Sequence, residues 1–159
     1  MSQTHIHLII THLPIFGPIL GTFVLLHGIW TKSNQVKSAA YNLFVISSIG
    51  AIIAYVTGEE AEESVENIQG IAREALEQHE DFAVIGLASL IILGIIALVS
   101  LLLTYKKLVV ANKAAYITLF VSIVSFALIA RTGYLGGQIR HTEINATVSQ
   151  EMLHKDEDH

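Results

Sequence analysis

The sequence predicts an all-α integral membrane protein, a four-helix bundle with both termini on the extracytoplasmic side. Three observations predict it. Charged residues are scarce, 14% of the 159 residues, where soluble domains carry about 25%. Four stretches contain no Asp, Glu, Lys or Arg: Leu13–Thr31, Ser38–Gly58, Phe82–Thr104 and Ala114–Ala130. Each approaches the roughly 20 residues that cross about 30 Å of hydrocarbon. Finally, the charges sort by side. The short turnarounds Thr31–Ser38 and Tyr105–Lys113 hold Lys32, Lys37, Lys106, Lys107 and Lys113 and no carboxylate. All 14 Asp and Glu fall on the other side, with every histidine except His27. A soluble bundle would show a polar face on each helix, and these runs show almost none.

The first helix is expected over about 5–30. Pro14 and Pro18 sit near its outer end, where a missing donor is tolerable, and Gly17 and Gly21 form a GxxxG pair that lets a neighbouring backbone approach. The second is expected over 38–58. The segment 59–78 is too polar for lipid and reads as amphipathic. Glu59, Glu63 and Glu66 share one helical face, and Val65, Ile68, Ala72 and Leu76 share another, with Gly70 as a break. The third and fourth helices are expected over 79–105 and 112–131. A glycine-rich exit, Arg131-Thr-Gly-Tyr-Leu-Gly-Gly-Gln-Ile-Arg-His141, follows. The chain thus reads as one domain, 1–141, with a polar, disordered tail over 142–159.

Short Lys-rich loops face the cytoplasm. Against the five turnaround lysines stand Arg73, Arg131, Arg140 and Lys155, and three of these lie in the tail or away from the helix ends. The expected location is a multi-pass protein of the bacterial inner membrane with its site on the periplasmic side. The start Met-Ser-Gln-Thr-His lacks a basic n-region, so the first helix is expected to stay in the mature protein. With no cysteine, disulfides, zinc–thiolate sites, c-type haem and cysteine-bound iron–sulfur clusters are excluded. The net charge of −5 offers no basic surface for nucleic acid. Membrane lipid is the expected environment.

Imidazoles and carboxylates gathered at one membrane depth point to a metal or cofactor. His12 lies about one turn inside the first helix, and an ionisable residue at that depth is costly and is read first as functional. The plain alternative is an interfacial histidine bonded to a neighbouring carbonyl. His5 and His12 share a face but stand about 10 Å apart along an unbroken helix, while His7 and His12 differ by about 140°. For His7 to share a metal with His12, the chain before His12 must unwind. His79 opens the third helix in Gln-His-Glu-Asp. A carboxylate on one of its ring nitrogens, from Glu80, Asp81 or the amphipathic segment, would leave the other for a metal; a solvated helix start is the alternative. Gly133, Gly136 and Gly137 allow positive φ and close packing, so the exit can fold back and let Arg140 and His141 cap the site, or run on as a linker. Arg131 can pair with Glu59, Glu60 or Glu63, bind a haem propionate, or simply snorkel. Acidic runs are usually solvated faces; Glu60 and Glu63 are the best placed as ligands. His27 belongs to the opposite end, about 22 Å from His12.

The pieces His-Leu-Ile-Ile-Thr-His-Leu-Pro (7–14), Thr-Gly-Glu-Glu-Ala-Glu-Glu (57–63), Glu-Gln-His-Glu (77–80) and Thr-Gly-Tyr-Leu-Gly-Gly (132–137) with His141 resemble a bacterial family of small four-helix membrane proteins, DUF2231, over about residues 5–143. The family start resembles His-Pro followed by His-Phe-Pro. Leu8 and Leu13 stand here in place of the first Pro and the Phe. Some relatives are joined to Rieske-type or cytochrome domains, so the resemblance implies a redox setting.

Three functions follow as expectations. The first is electron transfer by a b-type haem held between helices by His12 and His79, with Arg131 and His141 assisting and redox partner proteins or quinone as partners. The second is a non-haem site of His7, His12, His79 and His141 with Glu60, Glu63 or Glu80, suited to Zn, Fe, Mn or Cu. No helix carries the Glu-x-x-His pair of dinuclear bundles; the match at Glu151–His154 lies in the tail. The third is a structural or assembly subunit without cofactor. Haem ranks ahead of bare metal here, and either ahead of no cofactor. No charged residue lies mid-membrane along a path, which weighs against a transporter, and a stand-alone enzyme is not indicated.

Overall fold

The computed structural model describes the backbone of residues 9–65 and 73–157, and side chains over 9–58 and 77–138. The described residues form four long helices: α1 His12–Trp30, α2 Asn34–Val65, α3 Arg73–Tyr105 and α4 Ala111–Glu157. Each contains a segment long and apolar enough to cross a membrane: His12–Trp30, Asn34–Gly58, Glu77–Tyr105 and Ala111–Gln138. The fold is the all-α membrane bundle that the charge pattern predicts. Each helix packs on its chain neighbours, and α4 returns to α1 to close a ring. An even number of antiparallel spans brings the start of α1 and the end of α4 to one end, the carboxylate-bearing one.

The element boundaries differ from expectation in informative ways. Helical structure is interrupted at Thr11, immediately before His12, because Pro14 has no N–H to offer the carbonyl one turn back. Any break at Gly70 lies outside the described residues. The largest difference is at the C-terminal side. α4 runs through the glycine-rich exit and the polar tail to Glu157 instead of ending near Arg131. Gly133, Gly136 and Gly137 are helical and do not form a turn; of the three, Gly136 is closely packed.

The packing is inverted relative to a soluble bundle. Phe23, Ile46, Ile95 and Phe120 face outward, while Gly, Ala and Ser fill much of the interior around Leu25, Tyr41, Phe44, Leu90 and Leu93. Lipid tails solvate large apolar side chains as well as a protein core does, so helices associate where small residues let backbones approach. A Cβ on Gly21 would stand 2.5 Å from the Phe44 ring, on Gly94 2.6 Å from Ser48 Oγ, and on Gly86 2.8 Å from Ile129 Cδ1. Hydroxyls tie the seams. Thr22 Oγ1 donates to Ser122 Oγ (2.8 Å), Ser100 and Thr118 share a bond of 2.8 Å, and Ser125 Oγ donates to the Ser89 carbonyl (3.2 Å).

The two lysine-bearing turns are built alike. Lys32 has φ 54° and Lys107 φ 53°. Around them Ser33 N donates to the Gly28 carbonyl and Lys32 N to that of Ile29, and Leu108 N donates to Leu103 and Lys107 N to Thr104. Both are Schellman motifs, whose left-handed position usually takes glycine. Lysine there suits the side of the membrane that anchors positive charge, at a backbone cost of about 1 kcal/mol. Lys32→Gly and Lys107→Gly are each expected to raise the unfolding free energy in detergent by about 1 kcal/mol; a lowered midpoint in both would contradict this account of the turns.

Candidate functional site at the carboxylate-bearing end

His79 lies one and a half turns into α3 and is half-buried against α4. Its Nδ1 stands 3.1 Å from the carbonyl oxygen of Thr132. A carbonyl only accepts, so Nδ1 carries the proton and donates, and the ring's lone pair is on Nε2. The ring rests on Gly136. A Cβ there would come within 3.1 Å of His79 Cε1 and 3.4 Å of Nδ1. Thr132 and Gly136 are one turn apart on α4, and together they seat the imidazole: one supplies the acceptor, the other the space.

Thr132 also fixes the seat itself. Its Oγ1 donates across the seam to the Phe82 carbonyl (3.0 Å) and back to Leu128 (3.1 Å). Thr132→Val keeps the shape and deletes the cross-helix bond. It is expected to lower the unfolding free energy by about 1 kcal/mol, while the His79 contact, made to the backbone, survives. Loss of more than about 3 kcal/mol would show that the hydroxyl has a larger role.

His12 is at the same level but turned elsewhere. Ile15 of α1 abuts Gly133 of α4, three residues from the Gly136 seat, about 4.5 Å of helical rise. The depth expected for His12 and His79 therefore agrees. Direction does not. The buried stripe of α1 is Pro14, Pro18, Gly21, Leu25 and Gly28, and His12 falls about 200° around the helix from Pro14. Its ring is exposed and stacks on the half-exposed Phe16, centroids 6.0 Å apart. The two imidazoles do not converge on the bundle interior, because the α1 face that turns inward carries prolines and glycines instead.

Arg131 is exposed, with its guanidinium 5.6 Å from the ring centroids of both Phe82 and Tyr134. Aromatic faces hold its charge; the acids expected to meet it, Glu59, Glu60 and Glu63, lie outside the described side chains. Glu80 is exposed beside His79. His27 sits at the lysine-bearing end, edge-on to Trp30, apart from the site as expected. His7 lies outside the described residues. His141 lies on the helical continuation of α4, its side chain outside those described, so the backbone runs on as helix there instead of folding back over the bundle mouth.

Among the described residues no group of three or more potential metal ligands converges; the segments bearing Glu60, Glu63 and His141 are outside that set. Between α1 and α4 runs a groove of ≈ 440 Å³ lined by Ile15, Phe16, Ile19, Phe126, Ala130 and Gly133. These side chains offer no metal donor, and the groove faces the apolar surroundings of the bundle.

Sequence reasoning missed Thr132 and Gly136 as the seat of His79. Their spacing of four was visible, but the glycines around them read as a turn.

The family model described as a predicted membrane protein, DUF2231, matches residues 3–145. No curated protein and no solved structure matches the chain.

Proposed function

The chain belongs to the DUF2231 family of predicted membrane proteins, and from that premise we propose that it is a redox protein holding a transition-metal centre at its carboxylate-bearing end, with His79 as the anchoring ligand. The supporting observation is the bond from His79 Nδ1 to the Thr132 carbonyl. Histidines that ligate metals characteristically donate their other ring N–H to a carbonyl or carboxylate, which fixes the tautomer and raises the basicity of the ligating nitrogen. Seating on Gly136 removes the ring's freedom to turn, so little entropy is lost on binding.

The remaining donors are drawn from Glu60 and Glu63 on the α2 extension, Glu80 beside His79, His141 on the α4 extension, and His7. Nitrogen and oxygen donors of this kind suit Fe, Mn or Cu, which carry redox chemistry; Zn fits the same donors but without it. A centre of imidazole and carboxylate is favoured over a b-type haem held by His12 and His79, since His12 is exposed on the outward side of α1. Arg131, fixed by two aromatic rings beside Thr132, supplies positive charge for an anionic group at the same level. A periplasmic position for this end follows from the Lys-rich turns at the other.

Purification of the full chain in a neutral detergent, with elemental analysis and visible spectra before and after dithionite, tests the proposal. Stoichiometric metal without a haem band is the expected result. A sharp reduced-state haem band would return the haem reading to first place. A chain free of both would leave a structural subunit.

A further inference from the structure

The lysine-bearing end holds an unbalanced charge. Among the described residues Lys37 is the buried charged side chain, 3% exposed. Its stem is enclosed by α1: a Cβ on Gly28 would lie 2.8 Å from Lys37 N and 3.0 Å from its Cγ. The stem delivers the ammonium across the mouth of the bundle to Asn112 Oδ1 on the first turn of α4, at 3.0 Å. Asn112 is exposed, so the buried Nζ lies just beneath the rim of the bundle.

That contact satisfies one of three ammonium donors and none of the charge. No Asp or Glu occurs before Glu59, nor between Asp81 and Glu143, so this half of the bundle contains no carboxylate that could serve as counter-ion. The first turn of α4 has no acidic residue either, and its dipole adds positive potential at the same place. Lys113 follows Asn112 directly, and Lys106 and Lys107 form the turn before it. One turn deeper the buried Tyr41 OH and Thr104 Oγ1 lie beside each other, with no other polar partner among the described residues. A simple interhelical tie would need no charge; methionine at 37 would fill the same space without the cost of a desolvated cation.

We propose that the Lys37–Asn112 junction is a binding site for a phosphate-bearing anion. The ammonium and the N–H groups of Asn112 and Lys113 at the start of α4 are its donors, since those of Ala111 and Ala114 already donate to Leu108 and Val110. The phosphate belongs either to an anionic phospholipid headgroup or to a free phosphate compound. Basic pockets between spanning helices on the Lys-rich side are suited to such headgroups.

The test uses the full chain, delipidated in a neutral detergent, with short-chain phosphatidylglycerol and inorganic phosphate as separate probes and sodium chloride at matched ionic strength as the control. A saturable rise in unfolding midpoint above the chloride control is expected. A response to phosphatidylglycerol alone identifies a lipid headgroup; a response to inorganic phosphate identifies a free anion. Lys37→Met is expected to weaken the apparent affinity about tenfold or more, and Lys37→Arg to restore it. Asn112→Asp, at an exposed position, supplies an internal counter-ion and is expected to abolish the response without unfolding the bundle. The proposal is overturned if neither probe exceeds chloride, or if Asn112→Asp and Lys37→Met respond as the wild type does.

Discussion

Gly28→Val is expected to lower the unfolding free energy by about 3 kcal/mol and to leave much of the protein unfolded in mild detergent. A Cβ at this position would stand 2.8 Å from the backbone nitrogen of Lys37 and 3.2 Å from the carbonyl carbon of Val36. Neither atom can rotate away, so α1 and α2 must separate where Schellman bonds hold their turn tightly. Separation also withdraws the cover from the Lys37 stem. The informative control is Gly133→Ala, whose nearest neighbour, Ile15 Cδ1, is 3.5 Å away. There alanine fits, and its better helix propensity is expected to add about 0.5–1 kcal/mol. Chemical or thermal unfolding of both variants in one detergent measures the contrast. Equal effects would mean that close approach at Gly28 is not what holds α1 to α2.

The contrast also shows how far the sequence could be read. The spans were legible because charge is excluded from lipid at several kcal/mol per group, so an absence of Asp, Glu, Lys and Arg draws their outlines directly. The turns were legible for the same reason, since Lys32 and Lys107 mark them. Helix continuation past Arg131 was not. Glycine is a strong breaker signal in water, but between membrane helices it serves close approach, and Gly136 makes room for a ring of another helix. Nothing local in Thr-Gly-Tyr-Leu-Gly-Gly distinguishes those uses; the His79 contact does. His12 is exposed and stacks on Phe16, away from the bundle interior. The inward stripe Pro14, Pro18, Gly21, Leu25, Gly28 was open to inspection, and counting 100° per residue from it turns His12 outward. His79 could not be assigned in this way, because its environment depends on the register between α3 and α4.

The other large effect concerns that histidine. His79→Ala is expected to reduce metal retained through purification by at least tenfold, with a smaller change in stability. The substitution removes the Nε2 donor and the Nδ1–H bond to Thr132 together, while leaving the Thr132 hydroxyl bonds to Phe82 and Leu128 that join α3 to α4. The bundle should therefore fold. His12→Ala provides the comparison. With its ring on the outward face beside Phe16, its removal is expected to leave most of the metal bound, and a haem held by both rings would instead be lost from either variant.

The most direct measurement is the stoichiometry of Zn, Fe, Mn and Cu per chain in wild type, His79→Ala and His12→Ala, purified side by side. The account predicts close to one metal per chain in the wild type, near none in His79→Ala, and near wild-type content in His12→Ala. Full metal content in His79→Ala, or none in the wild type, would contradict it.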